Sequence, residues 1–324
     1  MVFCDGGLAN RLRVLVSGLA AAEVSKRTFK MLWPRTAACA ASFRELFTNN
    51  WPVQDVDRIN QSLLVYKILS GSPFSSIQQF TADPRQDIVL GLYHWLVDCQ
   101  PQHAPDMYAR CCELLYKLEP LPEITKRIIE TQQYFRPTMI GVHLRRNDFL
   151  RVRPDVSWNT RAAYIAVDQF LEKHPEAGIF LCTDDGAVDQ HTDDLRYEGV
   201  RDVFQTRYGN KVITTSPRSL DRRTTVSIQD ALVDLWLLRS TKMIVGTAGS
   251  SFSYLSAFGR EVEYMWVSGK TPAYSVIHWL AWITGMHWLV CRFYLASHGR
   301  NRPFPVAWRY LIRTLTIRWK AIIK

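Results

Sequence analysis

The chain has 324 residues, 47% of them hydrophobic and 22% charged, which excludes intrinsic disorder and leaves room for two domains of ordinary size. Its formal net charge of +10 is unevenly placed: after Glu263 there is no Asp or Glu, while Lys270, Arg292, Arg300, Arg302, Arg309, Arg313, Arg318, Lys320 and Lys324 follow, so the body before them is close to neutral. Seven cysteines, an odd number without Cys-x-x-Cys spacing, argue against a zinc site or a disulfide framework and fit a reducing compartment.

In chain order, Val2-Phe3-Cys4 reads as a short strand and Asp5-Gly6-Gly7 as a turn. From about Asn10 the spacing of Leu12, Leu15, Leu19 and Ala22 predicts a helix with one buried face. A core strand this close to Met1 leaves no room for a secretory signal, so a cytoplasmic chain is expected. Residues 30–135 are rich in aromatic and amide side chains, with helical patches near 61–69 and 105–117. They read as the remainder of an N-terminal α/β domain, 1–136, with irregular connections.

From 138 the rhythm sharpens. A strand at 138–144, a loop to about 159, a helix at 160–173 and a strand at 178–182 are expected, then the turn Thr183-Asp184-Asp185-Gly186. A helix at 227–240, a strand at 243–245, the loop Gly246–Ser251, a helix at 252–259 and a strand at 262–267 follow. Strands alternating with helices of this length predict βαβ units, a parallel sheet and a second α/β domain, 137–268.

The strand through Met139, Ile140 and Val142 ends in His143, Arg145, Arg146 and Asp148. A two-residue period places His143 and Arg145 on one face. Taken alone, the segment reads equally as an ion-paired strand exit and as an anion site. Two further polar strand ends accompany it: Asp184-Asp185, and the hydroxyl- and glycine-rich Thr247, Ser250 and Ser251. In open α/β sheets ligands bind at that edge. Arginine offers bidentate phosphate binding, and a glycine-rich loop at a helix start offers N–H groups and hydroxyls. Asp230 and Asp234 share a helix face, and a carboxylate there can accept from guanine N1–H and its amine. Taken singly, the Gly246–Ser251 loop is also a helix N-cap, Asp184-Asp185 a cap, and Asp234 a solvated helix residue. Their succession at strand ends favours a purine diphosphate site with a leaving group.

Four segments carry a resemblance. Gly6-Gly7-Leu8-Ala9-Asn10-Arg11, Gly141-Val142-His143-Leu144-Arg145-Arg146, Thr183-Asp184-Asp185, and Asp234 followed by Val245-Gly246-Thr247-Ala248-Gly249-Ser250-Ser251 occur in that order. Together they resemble the motifs of the GDP-fucose-dependent fucosyltransferase superfamily, over residues 1 to about 267. The resemblance implies the GT-B fold: two Rossmann-like domains facing a central cleft, an acceptor-side domain at 1–136 and a nucleotide-sugar domain at 137–268. It implies that Arg145 binds the β-phosphate and stabilises the departing GDP, that His143 packs near the nucleotide, and that Asp234 reads guanine. Ser250 would hold phosphate with Thr247 and Ser251 beside it, Asp184 would belong to the nucleotide site, and Asn10 and Arg11 would face the cleft. The chemistry implied is inverting transfer of fucose to a glycan hydroxyl without a metal, a fixed guanidinium meeting the leaving-group charge. In one branch a glutamate ten residues after the motif histidine is the proposed base; here that position is Arg153. Asp155 is one candidate base, the departing phosphate is another, and the choice stays open.

Residues 269–324 form a basic tail holding Trp279, Trp282, Trp288, Trp308 and Trp319. The apolar stretch 275–296 is broken by His278, His287 and Arg292, which argues against a membrane span. Beyond Pro305, Trp308, Leu311, Ile312, Leu315, Trp319 and Ile322 recur at helical spacing, with Arg309, Arg313 and Lys320 largely outside the stripe. A basic amphipathic helix of this kind predicts contact with a membrane surface through 275–324, at its inner face, and suits a lipid-linked or cell-envelope glycan. The other reading is a C-terminal helix packed on the first domain. Two other classes stand beside the transferase: a membrane-associated nucleotide-sugar-binding protein without catalysis, and a basic nucleic-acid-binding module. The large apolar stripe fits lipid better than nucleic acid, so no nucleic-acid partner is expected.

Overall fold

The computed structural model describes residues 1–57, 59, 66–68, 71–85, 89–146, 159–184 and 199–267. Asp148, Arg153, Asp155, Asp185 and the whole tail at 269–324 lie outside the described residues.

Two five-stranded parallel sheets organise the described residues. The first has the order β3-β2-β1-β5-β4, from β1 (Val2–Phe3), β2 (Met31–Pro34), β3 (Val53–Val56), β4 (Tyr66–Ile68) and β5 (Leu90–Leu92). The second has the order β10-β9-β6-β7-β8, from β6 (Met139–Leu144), β7 (Gly178–Thr183), β8 (Val212–Ile213), β9 (Met243–Thr247) and β10 (Glu263–Val267). Among the described residues the α-helices are α1 (Leu8–Ser25), α2 (Ile77–Thr81), α3 (Pro105–Tyr116), α4 (Pro122–Gln132), α5 (Asn159–Lys173), α6 (Val200–Tyr208), α7 (Thr225–Arg239) and α8 (Ser251–Ala257). The expected α/β class and the parallel second sheet are therefore present, with strand and helix limits within a few residues of the sequence reading.

The two-residue period of β6 sorts its side chains between two layers. Ile140, Val142 and Leu144 join Ile179 and Leu181 of β7 in a core beneath α5 and α6. Met139, with Phe180 and Cys182, faces the opposite layer, where α7 supplies Leu232, Leu235 and Leu238. Both faces are buried, which is why these strands read as continuous apolar runs. Gly141 lies on the α7 face, where a Cβ would meet Thr241 Oγ1 at 2.7 Å and Leu238 Cδ2 at 3.0 Å. Only glycine lets α7 approach the strand this closely.

The second of these layers continues into the first half of the chain. It includes Leu12, Leu15, Trp33, Phe43 and Leu114 as well as the α7 leucines, so one apolar core runs under both sheets. Helix α4 lies along α7, and α1 contacts α2, α3 and α8. Polar links reinforce the join: Ala40 N–H donates to the Arg222 carbonyl at 3.1 Å, and Gln229 Nε2 donates to the Glu45 carbonyl at 3.1 Å. Trp95 packs on Phe258 with ring centroids 4.6 Å apart.

The first half departs most from expectation. The helical patch near 61–69 is overturned at 66–68, which form the edge strand β4 in register with β5; the remainder of the patch lies outside the described residues. Strands β2 and β3 and helix α4 sit where the sequence suggested only irregular connections. Met31-Leu32-Trp33-Pro34 is buried on both faces, so it carries no alternation to mark it. Near 105–117 the helix is present, with Pro105 opening it. No described helix is long and apolar enough to cross a membrane.

Candidate functional site

A cleft of about 1010 Å³ opens between the two sheets. The carboxyl ends of β1, β5, β6, β7 and β9 all deliver residues to it, which follows from parallel strands whose loops leave on the same edge. From the second half come His143, Arg145, Asp184, Asp234, Ser250 and Ser251; from the first, Asn10 is the residue singled out from sequence that lines it.

Arg145 leaves the end of β6, its backbone N–H donating to Thr247 Oγ1 at 2.9 Å. Its Nε lies 3.4 Å from Asp184 Oδ2, and the Arg146 N–H donates to Asp184 Oδ1 at 2.6 Å. Asp184 thus braces the guanidinium from the neighbouring strand end. Thr247 is fully buried: its hydroxyl donates to the His143 carbonyl at 3.0 Å while accepting from Arg145. It is not among the residues that line the cleft; donating to one backbone group and accepting from another, it latches β6 to β9. Arg146 is also buried and is not among the residues that line the cleft.

The His143 ring is buried against Phe252, with Nδ1 2.5 Å from the Ser253 hydroxyl. Burial, with the Arg145 guanidinium beside it, pushes its pKa down to about 3. The ring is therefore neutral and is not an ionic partner for phosphate. Ser253 in turn accepts from the Thr247 N–H at 3.1 Å. A Cβ on Gly246 would meet Tyr264 Oη at 2.4 Å and Ser253 Cβ at 2.7 Å, which is why glycine begins this loop. Ser250 is at once the N-cap of α8, accepting from the Ser253 N–H, and a lining residue of the cleft. The two readings of that loop are compatible.

Asp234 lies on α7 at the cleft floor, accepting from Thr215 Oγ1 at 2.6 Å and facing Cys182 Sγ at 3.5 Å. Burial pushes its carboxyl up to about 6, although the Thr215 and Cys182 bonds and Arg201 pull the other way. Its i−4 neighbour Asp230 is used differently. Asp230 is buried and clamped by Arg127 of α4 and by Arg218, whose N–H, Nε and Nη2 reach it at 2.6, 2.9 and 2.7 Å. Burial opposes its ionisation, but the Arg218 and Arg127 bonds outweigh it and hold the carboxyl below the ordinary range. This clamp fixes the 217–222 loop, which supplies Pro217, Ser219, Leu220 and Arg222 to the cleft.

Arg11 corrects an expectation. It does not face the cleft: it is fully buried, donating from Nε to the Gly6 carbonyl at 2.8 Å, from Nη1 to the Pro34 carbonyl at 2.5 Å and from Nη2 to Thr36 Oγ1 at 2.9 Å. Its guanidinium also lies over the Trp33 ring, 5.2 Å from the centroid. Sequence reasoning missed Arg13, which lines the cleft and donates from Nη2 to Asn10 Oδ1 at 2.7 Å and to the Tyr93 carbonyl at 2.8 Å. A signal existed: Arg13 interrupts the apolar run Leu12-Arg13-Val14-Leu15-Val16, and a charge in a buried helix needs a purpose. Tyr93 and His94 were missed because β5 was not recognised, so its polar end was not either. Among the described residues no three His, Cys, Asp or Glu side chains come together as metal ligands.

The fold matches the solved structure of the fucosyltransferase NodZ from Bradyrhizobium with a TM-score of 0.50, at 17% identity, over 79% of this chain and 91% of that one. Two other solved structures fall just below that score. A mutant of Arabidopsis thaliana FUT1 in complex with GDP gives 0.48 at 13% identity, over 82% of this chain and 69% of that one. POFUT1 in complex with GDP-fucose gives 0.47 at 12% identity, over 82% and 96%. No family model matches the chain, and no curated protein matches it by sequence. The likeness to NodZ is one of fold, and it agrees with the GT-B architecture that the motifs implied.

Proposed function

We propose that the protein transfers fucose from GDP-fucose to a hydroxyl of a glycan acceptor, with inversion and without a metal. The observation that carries this reading is the Arg145 guanidinium, braced by Asp184 at the end of β6, facing a cleft that Ser250 and Ser251 also line. Arg145 meets the charge that grows on the β-phosphate as the sugar leaves, and Ser250 and Ser251 offer donors beside it. Asp234 accepts from the guanine, and His143 is a neutral wall. The likeness of fold to NodZ supports the choice of donor. In this reading residues 1–136 form the acceptor side and 137–268 the donor side, and the basic, tryptophan-bearing segment 275–324 meets the inner face of a membrane.

The test is release of free GDP from GDP-fucose and from GDP-mannose in parallel, with water as acceptor. Faster release from GDP-fucose is expected. Release that favours GDP-mannose overturns the sugar, and tight GDP binding without release from either donor points to a binding protein without catalysis.

Asp234 gives the reading a pH signature. With its carboxyl pushed up to about 6, the group is ionised at pH 7 and largely protonated at pH 5. Guanine N–H donors need the carboxylate, so binding below pH 6 must first expel a proton. GDP affinity should therefore fall roughly tenfold for each pH unit below that point. Asp234→Asn should bind GDP weakly and without this slope, measured by titration calorimetry. A wild-type affinity that is flat between pH 5 and 7 removes Asp234 from the base.

A further inference from the structure

Resting on the transferase reading, we propose that His94 is the general base that takes the proton of the attacking hydroxyl. The described residues lining the cleft include four carboxylates and two imidazoles, and five of these six have other engagements. Asp184 braces Arg145 and Arg146, Asp230 is locked between Arg127 and Arg218, and Asp234 accepts from Thr215 beside Cys182. His143 is buried on Ser253 beneath Phe252. Asp98 accepts from the Gln100 N–H at 3.2 Å and lies 3.4 Å from His103 Nδ1. His94 makes no hydrogen bond to any described residue and lines the cleft from the half opposite Arg145.

The backbone that carries the ring is held on both sides. Tyr93 is held on one side, its carbonyl by Arg13 at 2.8 Å and its hydroxyl on the Asp5 carboxylate. On the other side the Leu96 N–H donates to the buried Ser17 hydroxyl at 2.8 Å, and Trp95 packs between Arg13 and Phe258. Both holding side chains, Arg13 and Ser17, come from α1, so His94 is fixed to the rigid wall of the first sheet. Burial and the nearby Arg13 guanidinium lower its pKa from the ordinary histidine value, which keeps the ring neutral and able to accept a proton at pH 7.

The step balances without any added reactant. The acceptor oxygen forms a bond to the anomeric carbon as the bond from that carbon to the β-phosphate oxygen breaks. The electron pair of the broken bond leaves with GDP beside Arg145. The hydroxyl proton passes to a ring nitrogen of His94 and then to solvent.

The probe is GDP-fucose, with water standing in for the acceptor and free GDP as the readout. His94→Gln and His94→Ala should slow release by about 10²–10⁴-fold while leaving GDP affinity within about twofold, which also shows that the variants are folded. Added imidazole should restore part of the rate in His94→Ala, where there is room for it, and not in His94→Gln. Release within about threefold of wild type in both variants overturns the proposal. So does a loss of release in Asp98→Asn or Asp155→Asn with His94→Ala unaffected. A wild-type protein that neither binds GDP nor releases it overturns the transferase reading and the role of His94 together; release that survives only the His94 changes overturns the role alone.

Discussion

Replacing Arg145 with alanine is expected to slow GDP release from GDP-fucose by about 10²–10³-fold, the usual loss when one donor to a developing anion is removed. The side chain already meets charge in bound GDP, so affinity should fall too, by roughly tenfold. The larger effect belongs to turnover, because the β-phosphate gains charge only as the glycosidic bond breaks. The geometry supports a fixed donor, not a swinging one: Asp184 holds Nε, and Thr247 holds the backbone N–H while its own hydroxyl donates to the His143 carbonyl. Arg145→Lys should recover only part of the loss, since an ammonium cannot face Asp184 and a phosphate with separate edges of one planar group. The measurements are GDP affinity by calorimetry and the initial rate of GDP release. Unchanged values for both in Arg145→Ala would sink the assignment and, with it, the observation on which the proposed function stands.

The second large effect concerns folding, and it separates two neighbours in one motif. Arg11→Ala should destabilise the protein by about 3–5 kcal/mol, because it removes three hydrogen bonds from a charged donor and leaves buried carbonyls without their partner. The Gly6 carbonyl that it serves lies in the turn after β1, and the Pro34 carbonyl and the Thr36 hydroxyl lie at the end of β2, so one guanidinium joins two neighbouring strand ends of the first sheet. Loss of the Arg11 stack on Trp33 adds a cavity beside a fully buried ring. The fraction that remains folded should bind GDP as wild type does, since Arg11 does not reach the cleft. Denaturant unfolding followed by tryptophan fluorescence, with GDP titration under native conditions, checks both halves. An Arg11→Ala protein with wild-type stability and weakened GDP binding would return Arg11 to the cleft.

These two arginines show how far the sequence can be read. Arg145 ends a strand whose period and apolar run are plain in Met139–Leu144, so its place at a sheet edge follows from local pattern. Arg11 stands in an equally recognisable motif, yet whether a side chain on the first turn of α1 points to the cleft or back under the sheet depends on where Pro34 and Thr36 pass, residues far along the chain. The same limit separates Asp230 from Asp234. Four residues apart on one helix, they looked alike; Arg127 and Arg218, brought in from α4 and a loop, occupy one and leave the other at the cleft floor.

Sequence alone determined the class of the second half: apolar strands, with helices of ordinary length between them, and polar or glycine residues directly after every expected strand but the last. Those signals are local, because hydrogen-bond ladders and burial impose their period on neighbouring residues. The first half hid its sheet, because strands of two to four residues are too short to show a period, and their pairing is non-local. Only the tertiary structure decided which polar groups are already satisfied by the fold and which are left facing the cleft. That is a matter of partners brought together from distant positions, and it is why Thr247 and Arg11 became supports while Arg13 and His94 became part of the wall.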